Sequence, residues 1–335
     1  MTSLSILDLA PVPQGATPRD ALLRSLDLAQ HAEGWGYTRF WVAEHHNMIG
    51  IASAATSVVV GFLAGGTRSI RVGAGGIMLP NHSPLVIAEQ FGTLDALYPG
   101  RIDLGLGRAP GTDQVTMRAL RRNAAAADTF PQDVLEVQAL LGPERPDQRI
   151  RAVPGTGTQV PLWILGSSLY GAQLAGMLGL PYAFASHFAP ELLLPALSTY
   201  RERFEPSAQL QKPHAMVGVP VVAADTDAEA KRLFTSTQQS FTHMFRGTRG
   251  LLPPPIDDIE TYWSPMEKAQ VRGMLGRAIV GGPETVQRGL RDLIAETGAD
   301  ELMVASAIFD HGARLRSYEI LAGLDVPSMA QPALC

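Results

Sequence analysis

Three ionisable side chains follow one another at Glu44, His45 and His46, directly after the apolar run 40–43, which predicts a strand. An imidazole exchanges protons near neutral pH, so either histidine could act as a general acid or base. Neighbouring residues of a strand point to opposite faces, so only one of the two can face a ligand unless the strand has ended. Glu44 needs a partner if it is buried, and we expect it to orient a histidine or to close a core hydrogen bond. A purely structural histidine pair stays open at this point.

A second group of residues has the composition of an anion site. Arg108 follows the predicted strand 102–106, and Ser167 and Ser168 lie between the predicted strand 162–165 and a helix. A guanidinium suits phosphate or carboxylate through its planar donor fork, and helix N-termini present unpaired N–H groups. Taken separately, the arginine could form a surface ion pair and a serine could simply cap its helix. A phosphate site explains both together.

Glycines interrupt the predicted strand 70–79, at Gly73, Gly75 and Gly76. Glycine inside a strand marks a bulge or the close approach of a flat ligand, or it relieves crowding in a barrel interior. No GxGxxG run opens a helix after a strand, so the sequence gives no support for a Rossmann-type nicotinamide site.

These candidate residues depend on the elements that carry them. Apolar runs of strand length alternate with helical-period segments nearly from end to end, which predicts βα units around a parallel sheet. The predicted strands are 4–7, 40–43, 70–79, 102–106, 162–165, 182–185, 216–223 and 302–305. Eight strands favour a TIM (β/α)8 barrel over an open doubly wound sheet, in one α/β domain spanning 1–335. The candidate residues then meet at the C-terminal mouth, where barrel active sites lie.

Predicted helices separate the strands, at 18–33, 52–64, 84–97, 128–141, 169–178, 190–204, 227–245 and 284–296. Residues 246–276 break the rhythm and are too long for a bare βα loop. We interpret them as an insertion at the C-terminal face, which is either a functional loop over the mouth or a packed surface excursion. Within it Trp263, and after strand six His187, are candidates for lining a substrate pocket.

The composition bounds the class of protein. A 46% apolar and 18% charged chain is typical of a globular protein, and the net charge of −5 offers no basic stripe for nucleic acid. The single cysteine, Cys335, forms no internal disulfide, and no Cys/His spacing predicts a metal site. No apolar segment is long enough to span a membrane, and the first residues lack a signal-peptide pattern. We therefore expect a cytoplasmic protein.

The ordered motifs resemble those of the bacterial luciferase-like, flavin-dependent monooxygenases over nearly the whole chain. The matching runs are 40–46, 72–80, 89–101, 108–111 and 280–284. The resemblance implies the same barrel, with a cis peptide bond between Gly75 and Gly76 against the ring of FMN. It also implies that Arg108 grips the FMN phosphate together with Ser167, Ser168 and the N–H groups of Leu169, Tyr170 and Gly171. His45 is implied as the catalytic residue, and His46 as its support or as a substrate contact.

The implied activity is a monooxygenation. Reduced FMN would react with dioxygen to give a flavin C4a-peroxide that oxidises a small organic substrate, and a separate flavin reductase would supply the reduced FMN from NAD(P)H. Relatives of this kind are often homodimers. Two alternatives are an F420-dependent dehydrogenase and a catalytically inactive flavin-binding protein. Gly107 stands where luciferase has a reactive cysteine, so light emission is not implied.

Overall fold

The structure is a computed structural model that describes residues 2–109, 113–122 and 124–326. Nine parallel strands form its sheet, and eight of them close into a barrel because β6 pairs with β7 and β1 pairs with both β2 and β9. The strands are β1 (Ser3–Asp8), β2 (Arg39–Val42), β3 (Arg71–Met78), β4 (Ile102–Gly107), β5 (Leu162–Gly166), β6 (Tyr182–Phe184), β7 (Ala215–Ala223), β8 (Ile279–Gly281) and β9 (Glu301–Ala305). The predicted TIM barrel is confirmed.

Strand β8 lies outside the barrel and was missed by the sequence analysis. Among the described strands it pairs only with the end of β7, from Val221 opposite Ile279 to Ala223 opposite Gly281. A three-residue strand is too short to show an alternation, and two of its residues are only partly buried. The barrel therefore consists of the eight strands that the sequence predicts.

Eleven α-helices surround the sheet in the described residues. They are α1 (Pro18–Trp35), α2 (Thr56–Gly66), α3 (Pro84–Leu97), α4 (Gln114–Ala119), α5 (Phe130–Leu141), α6 (Leu169–Met177), α7 (Leu193–Glu202), α8 (Asp227–Phe245), α9 (Pro265–Met274), α10 (Pro283–Thr297) and α11 (His311–Ala322). All eight predicted helices are present. None of the described helices is long and apolar enough to cross a membrane.

Tertiary contacts explain two errors in the helix predictions. Helix α2 begins at Thr56 rather than at residue 52, because the N–H of Ala52 donates to the carbonyl of Ala10 instead of starting a helix. Helix α11 was missed because polar side chains interrupt its buried face: Arg314 is 4% exposed, and its Nη2 donates to Asp8 of β1 at 2.7 Å. An apolar periodicity cannot reveal a helix that packs through an ion pair.

The inserted segment 246–276 packs against two different parts of the molecule. Its first part reaches the loop after β1, since Leu252 exchanges backbone hydrogen bonds with Val12 and Gln14 at 2.9 and 2.8 Å. Its second part contains α9 and packs Trp263 and Val271, both buried, into a cluster with α8. Trp263 therefore belongs to that cluster, and the segment is mainly a packed excursion whose beginning borders the mouth.

Charged side chains fill the N-terminal end of the barrel. Arg39, at the start of β2, donates from Nη1 to Asp103 at 2.9 Å and from Nε to Glu301 at 2.8 Å. Both carboxylates are almost fully buried, and Arg71 provides a second cation beside Asp103. The Trp163 ring covers the Arg39 guanidinium at 4.7 Å. This network closes the end of the barrel opposite to the candidate site.

Replacing Arg39 with methionine should destabilise the protein strongly, because it leaves buried Glu301 without its guanidinium partner and buried Asp103 with Arg71 alone. We expect the free energy of unfolding to fall by about 3–5 kcal/mol in urea titrations. The matched control is Arg316→Met, which removes exposed pairs with Asp225 and Glu319 and should cost no more than about 1 kcal/mol. Equal losses in the two variants would contradict a structural role for the network.

Candidate active site at the C-terminal mouth of the barrel

The chain leaves strand β2 just before its ionisable run. β2 ends at Val42, and the Ser53 hydroxyl then donates to the carbonyl of Ala43 at 2.6 Å and fixes the start of the turn. Because the strand has ended, the alternation of faces no longer separates His45 from His46. Both histidines are half-buried at the C-terminal end of the strand, where the sequence analysis expected them.

Glu44 connects this turn to the next one along the barrel. Its Oε1 atom lies 2.7 Å from Nε2 of His46 and 2.9 Å from Nε2 of His82, which follows β3. The N–H of Met78 donates to the other carboxylate oxygen at 3.1 Å. Burial alone would raise the pKa of Glu44, but these hydrogen bonds hold that pKa below its usual value. As expected, the carboxylate orients a histidine, and it orients a second one as well.

His82 is a candidate residue that the sequence analysis missed. Glu44, His46 and His82 place their ligand atoms within 4.8 Å of one another, although β3 separates His82 from the other two along the chain. A positional signal was available, because residues 79–82 follow the C-terminal end of a barrel strand. Neither spacing nor motif indicates which side chain of that turn points toward Glu44.

The structure brings His187 close to His45. His187 follows β6 and packs against β7, so closely that a Cβ on Gly218 would lie 2.6 Å from its Nδ1. Within the described residues, that buried Nδ1 has no hydrogen-bond partner. Burial lowers the pKa of His187 to about 4, with a smaller contribution from the charge of His45. His187 is therefore neutral at physiological pH. In contrast, the hydrogen bond to Glu44 raises the pKa of His46.

Arg108 and the start of α6 are neighbours at the rim, because the last residues of β4 and β5 are paired, Gly107 opposite Leu165. The Arg108 guanidinium stacks on the Tyr170 ring, 4.3 Å from its centroid. Tyr170 lies in the first turn of α6, and the Ser168 hydroxyl does not cap that helix within the described residues. Arg108, Ser168, Leu169 and Tyr170 are exposed and Ser167 is partly so. A guanidinium and open helical N–H groups thus share one accessible corner.

The N-terminus of α10, in the motif 280–284, offers no comparable site. The N–H of Gly282, its N-cap residue, already donates to Asp227 at 2.6 Å, and Thr285 donates to the same carboxylate at 3.2 Å. A carboxylate that occupies a helix N-terminus repels a second anion. Of these two helix starts, the one beside Arg108 suits a phosphate.

The glycines of β3 are required by the barrel itself. The bond between Gly75 and Gly76 is cis, and the register between β3 and β4 shifts at this point, as a bulge requires. A Cβ on Gly76 would lie 2.6 Å from the carbonyl oxygen of Gly105, and one on Gly75 would lie 2.8 Å from Leu7. Relief of crowding, one of the predicted explanations, is confirmed.

Comparison with known proteins identifies the family. The chain belongs to the luciferase-like monooxygenases, whose family model matches residues 2–301. It is 56% identical over 319 residues to a luciferase-like monooxygenase of Escherichia coli K12, covering 95% of each chain. The solved structure of apo-MsnO8 superposes with a TM-score of 0.89 at 37% identity, covering 96% of this chain and 98% of the other. An N-acetyl-S-alkylcysteine monooxygenase of Bacillus subtilis is 36% identical over 71% of this chain and 72% of its own length.

More distant solved structures share the fold and differ in cofactor. The oxygenating constituent of 3,6-diketocamphane monooxygenase from Pseudomonas putida was solved with FMN; it is 17% identical, with a TM-score of 0.73 over 98% of this chain and 99% of its own. An F420-dependent secondary alcohol dehydrogenase is 16% identical, with a TM-score of 0.69 over 97% and 99%. Flavin and deazaflavin enzymes therefore both use this architecture.

The lowered pKa of His187 should make the protein sensitive to acid. In the unfolded chain a histidine takes up a proton near pH 6.5, whereas folded His187 resists it until about pH 4, so stability falls as the pH drops through this window. Between pH 7 and pH 5, His187→Gln should lose about 2 kcal/mol less unfolding free energy than the wild type, measured in urea. Identical losses would show that His187 is protonated normally in the folded protein.

Proposed function

We propose that this protein is an FMN-dependent monooxygenase, which uses reduced FMN and dioxygen to oxidise a small organic substrate. The observation that carries the proposal is the corner formed by Arg108, stacked on Tyr170, and the open N-terminus of α6. This corner lies on the same rim as His45, His82 and His187. The family relationship supports the monooxygenase class, and the corner supports the choice of FMN.

The residues of the corner fit a phosphate monoester. A dianionic phosphate can accept hydrogen bonds from Arg108, from the hydroxyls of Ser167 and Ser168, and from the N–H groups of Leu169, Tyr170 and Gly171. Stacking on Tyr170 restricts the guanidinium, so less side-chain entropy is lost on binding. With the phosphate at the ends of β4 and β5, the flat ring system would extend toward the cis bond between Gly75 and Gly76.

The protein's own residues bind and orient the substrate and exchange protons with it. Reduced FMN supplies two electrons when bound, so that one atom of dioxygen enters the substrate and the other leaves as water. His45 acts as the general acid or base beside the reacting groups. His187 stays neutral next to it and presents a substrate-facing imidazole, and His46 is held by Glu44 at the substrate side of the mouth. The segment that carries Leu252 limits the access of water to this side.

The electrons come from a partner. The chain has no GxGxxG run opening a helix after a strand. We therefore infer that a separate flavin reductase oxidises NAD(P)H and delivers reduced FMN.

We also infer a homodimer. On α2, Val58 is 70% and Phe62 42% exposed, and Val86 of neighbouring α3 is 43% exposed. Val58 and Phe62 are one helical turn apart, so they form an apolar stripe that a second copy can cover. Light scattering of the purified protein would give twice the mass of one chain, and the mass of a monomer would refute the inference.

Cofactor binding tests the proposal directly. We expect the protein to bind reduced FMN in anaerobic fluorescence titrations. Arg108→Ala should weaken this binding about tenfold to a hundredfold, because a hydrogen bond to a charged group contributes roughly 1.5–3 kcal/mol. The matched control is Arg232→Ala, which removes an exposed arginine of α8 that pairs with Asp257. This variant should bind reduced FMN like the wild type.

The same experiment separates the alternatives. Binding of F420 in preference to FMN would replace the proposal with a deazaflavin-dependent hydride transfer. FMN binding without an oxygenated product from any substrate would indicate an inactive flavin-binding protein. Equal affinity of Arg108→Ala and the wild type for reduced FMN would show that the phosphate does not bind at this corner.

His45→Ala should lower turnover at least tenfold while FMN binding stays unchanged, because the residue serves proton transfer and not the phosphate. N-acetyl-S-alkylcysteine thioethers are the first substrates to try, as the Bacillus subtilis relative is named for them. Oxygen consumption and oxygenated product are measured with His31→Ala as the control, since His31 lies on α1 and its ring contacts Trp35. Undiminished turnover would exclude His45 from the mechanism.

A further inference from the structure

Two histidines from different turns converge on one carboxylate oxygen at the mouth. Nε2 of His46 lies 2.7 Å and Nε2 of His82 lies 2.9 Å from Oε1 of Glu44. Nε2 of His82 is also 3.0 Å from Oε2, the atom that accepts the hydrogen bond from the N–H of Met78. The carboxylate is thus anchored on one side and faces two imidazoles on the other.

We propose that Glu44, His46 and His82 form a binding site for a divalent transition-metal ion of the Zn²⁺ class. Two imidazole nitrogens and one carboxylate oxygen are a ligand set that Zn²⁺ accepts, with a fourth position left for water. Imidazole ligands disfavour Ca²⁺ and Mg²⁺, which prefer oxygen. Its three ligands are separate from the Arg108 corner proposed to hold the FMN phosphate, and His46 is shared with the substrate side of the mouth.

The dimensions of the cluster agree with such an ion. All three ligand atoms lie within 4.8 Å of one another. Ligands placed around Zn²⁺ at its usual bond lengths are separated by about 3.3 Å, so the carboxylate oxygen and each imidazole nitrogen need to part by only about half an ångström. The side chain of Glu44 is 1% exposed, whereas His46 and His82 are 18% and 27% exposed. The buried carboxylate anchors the site, and the exposed edges of the histidines admit the ion and its water.

A further hydrogen bond already holds the carboxylate of Glu44. Metal sites hold their carboxylate ligands with further hydrogen bonds, and the N–H of Met78 does so for Glu44. An ion here would tie the turn after β2 to the turn after β3. Because His45 lies between Glu44 and His46 in the chain, occupancy would also hold the segment that carries it.

Protons and the ion compete for the same nitrogens. An imidazole binds a metal only after losing the proton on that nitrogen. Metal affinity should therefore fall as the pH is lowered from 8 toward 6. This decrease in metal affinity between pH 8 and pH 6 distinguishes ligation by these histidines from adsorption to surface carboxylates.

Titration of the chelator-treated, full-length protein with Zn²⁺ by calorimetry, and with Co²⁺ by visible absorption, tests the site. We expect one ion per chain, with the intense Co²⁺ bands of four- or five-coordination. His82→Ala should weaken Zn²⁺ binding at least tenfold, and because His82 is partly exposed this variant should still fold. Glu44→Gln, which removes the anionic ligand but keeps its shape, should weaken binding as well.

His31→Ala serves as the matched control, since it removes an exposed histidine from α1 and leaves the cluster intact; it should bind like the wild type. Equal affinity of the wild type and His82→Ala would overturn the proposal, as would absence of binding at pH 8. In either case the three residues are a hydrogen-bonded cluster that positions the turn after β2.

Discussion

Closure of the parallel sheet is the constraint on which the rest of this structure depends. Once β6 pairs with β7 and β1 with β9, every barrel strand must end at the same rim. Residues far apart in the chain then become neighbours without any local signal. Glu44 meets His82 because β2 pairs with β3, and His45 approaches His187, which follows β6, because the sheet closes.

The two ends of the barrel use charge in different ways. At the N-terminal end, Arg39 and Arg71 neutralise Asp103 and Glu301 within a compact, buried network. A buried ion pair contributes little net stability, but separating its partners leaves an unpaired buried charge and costs several kcal/mol. This end of the barrel is therefore rigid. At the C-terminal end, histidines and an exposed arginine surround an open rim. The histidines and the arginine that the proposed function uses lie at this end.

Two histidines of the mouth, His46 and His187, have different electrostatic surroundings. His46 is bonded to a buried carboxylate that favours its charged form, whereas burial and the neighbouring His45 favour the neutral form of His187. Residues of one type therefore hold their protons over different pH ranges within one site. Such divergence is the usual way in which a site acquires an acid and a base near neutral pH. The difference between the two pKa shifts supports a role of these histidines in proton transfer, on physical grounds that are separate from the family relationship.

The sequence by itself determined the eight barrel strands, the helices with an apolar face and the candidate residues at strand ends, because these follow from local periodicity and from the chain order of parallel βα units. It did not reveal α11, whose buried face carries Arg314, or the short strand β8. Nor did it show whether Gly76 makes room for a ligand or for the backbone of Gly105, since both need a residue without Cβ. Only the tertiary structure decided these points and placed His82 against Glu44, because distances between side chains on different strands depend on barrel closure and packing, which no local pattern encodes.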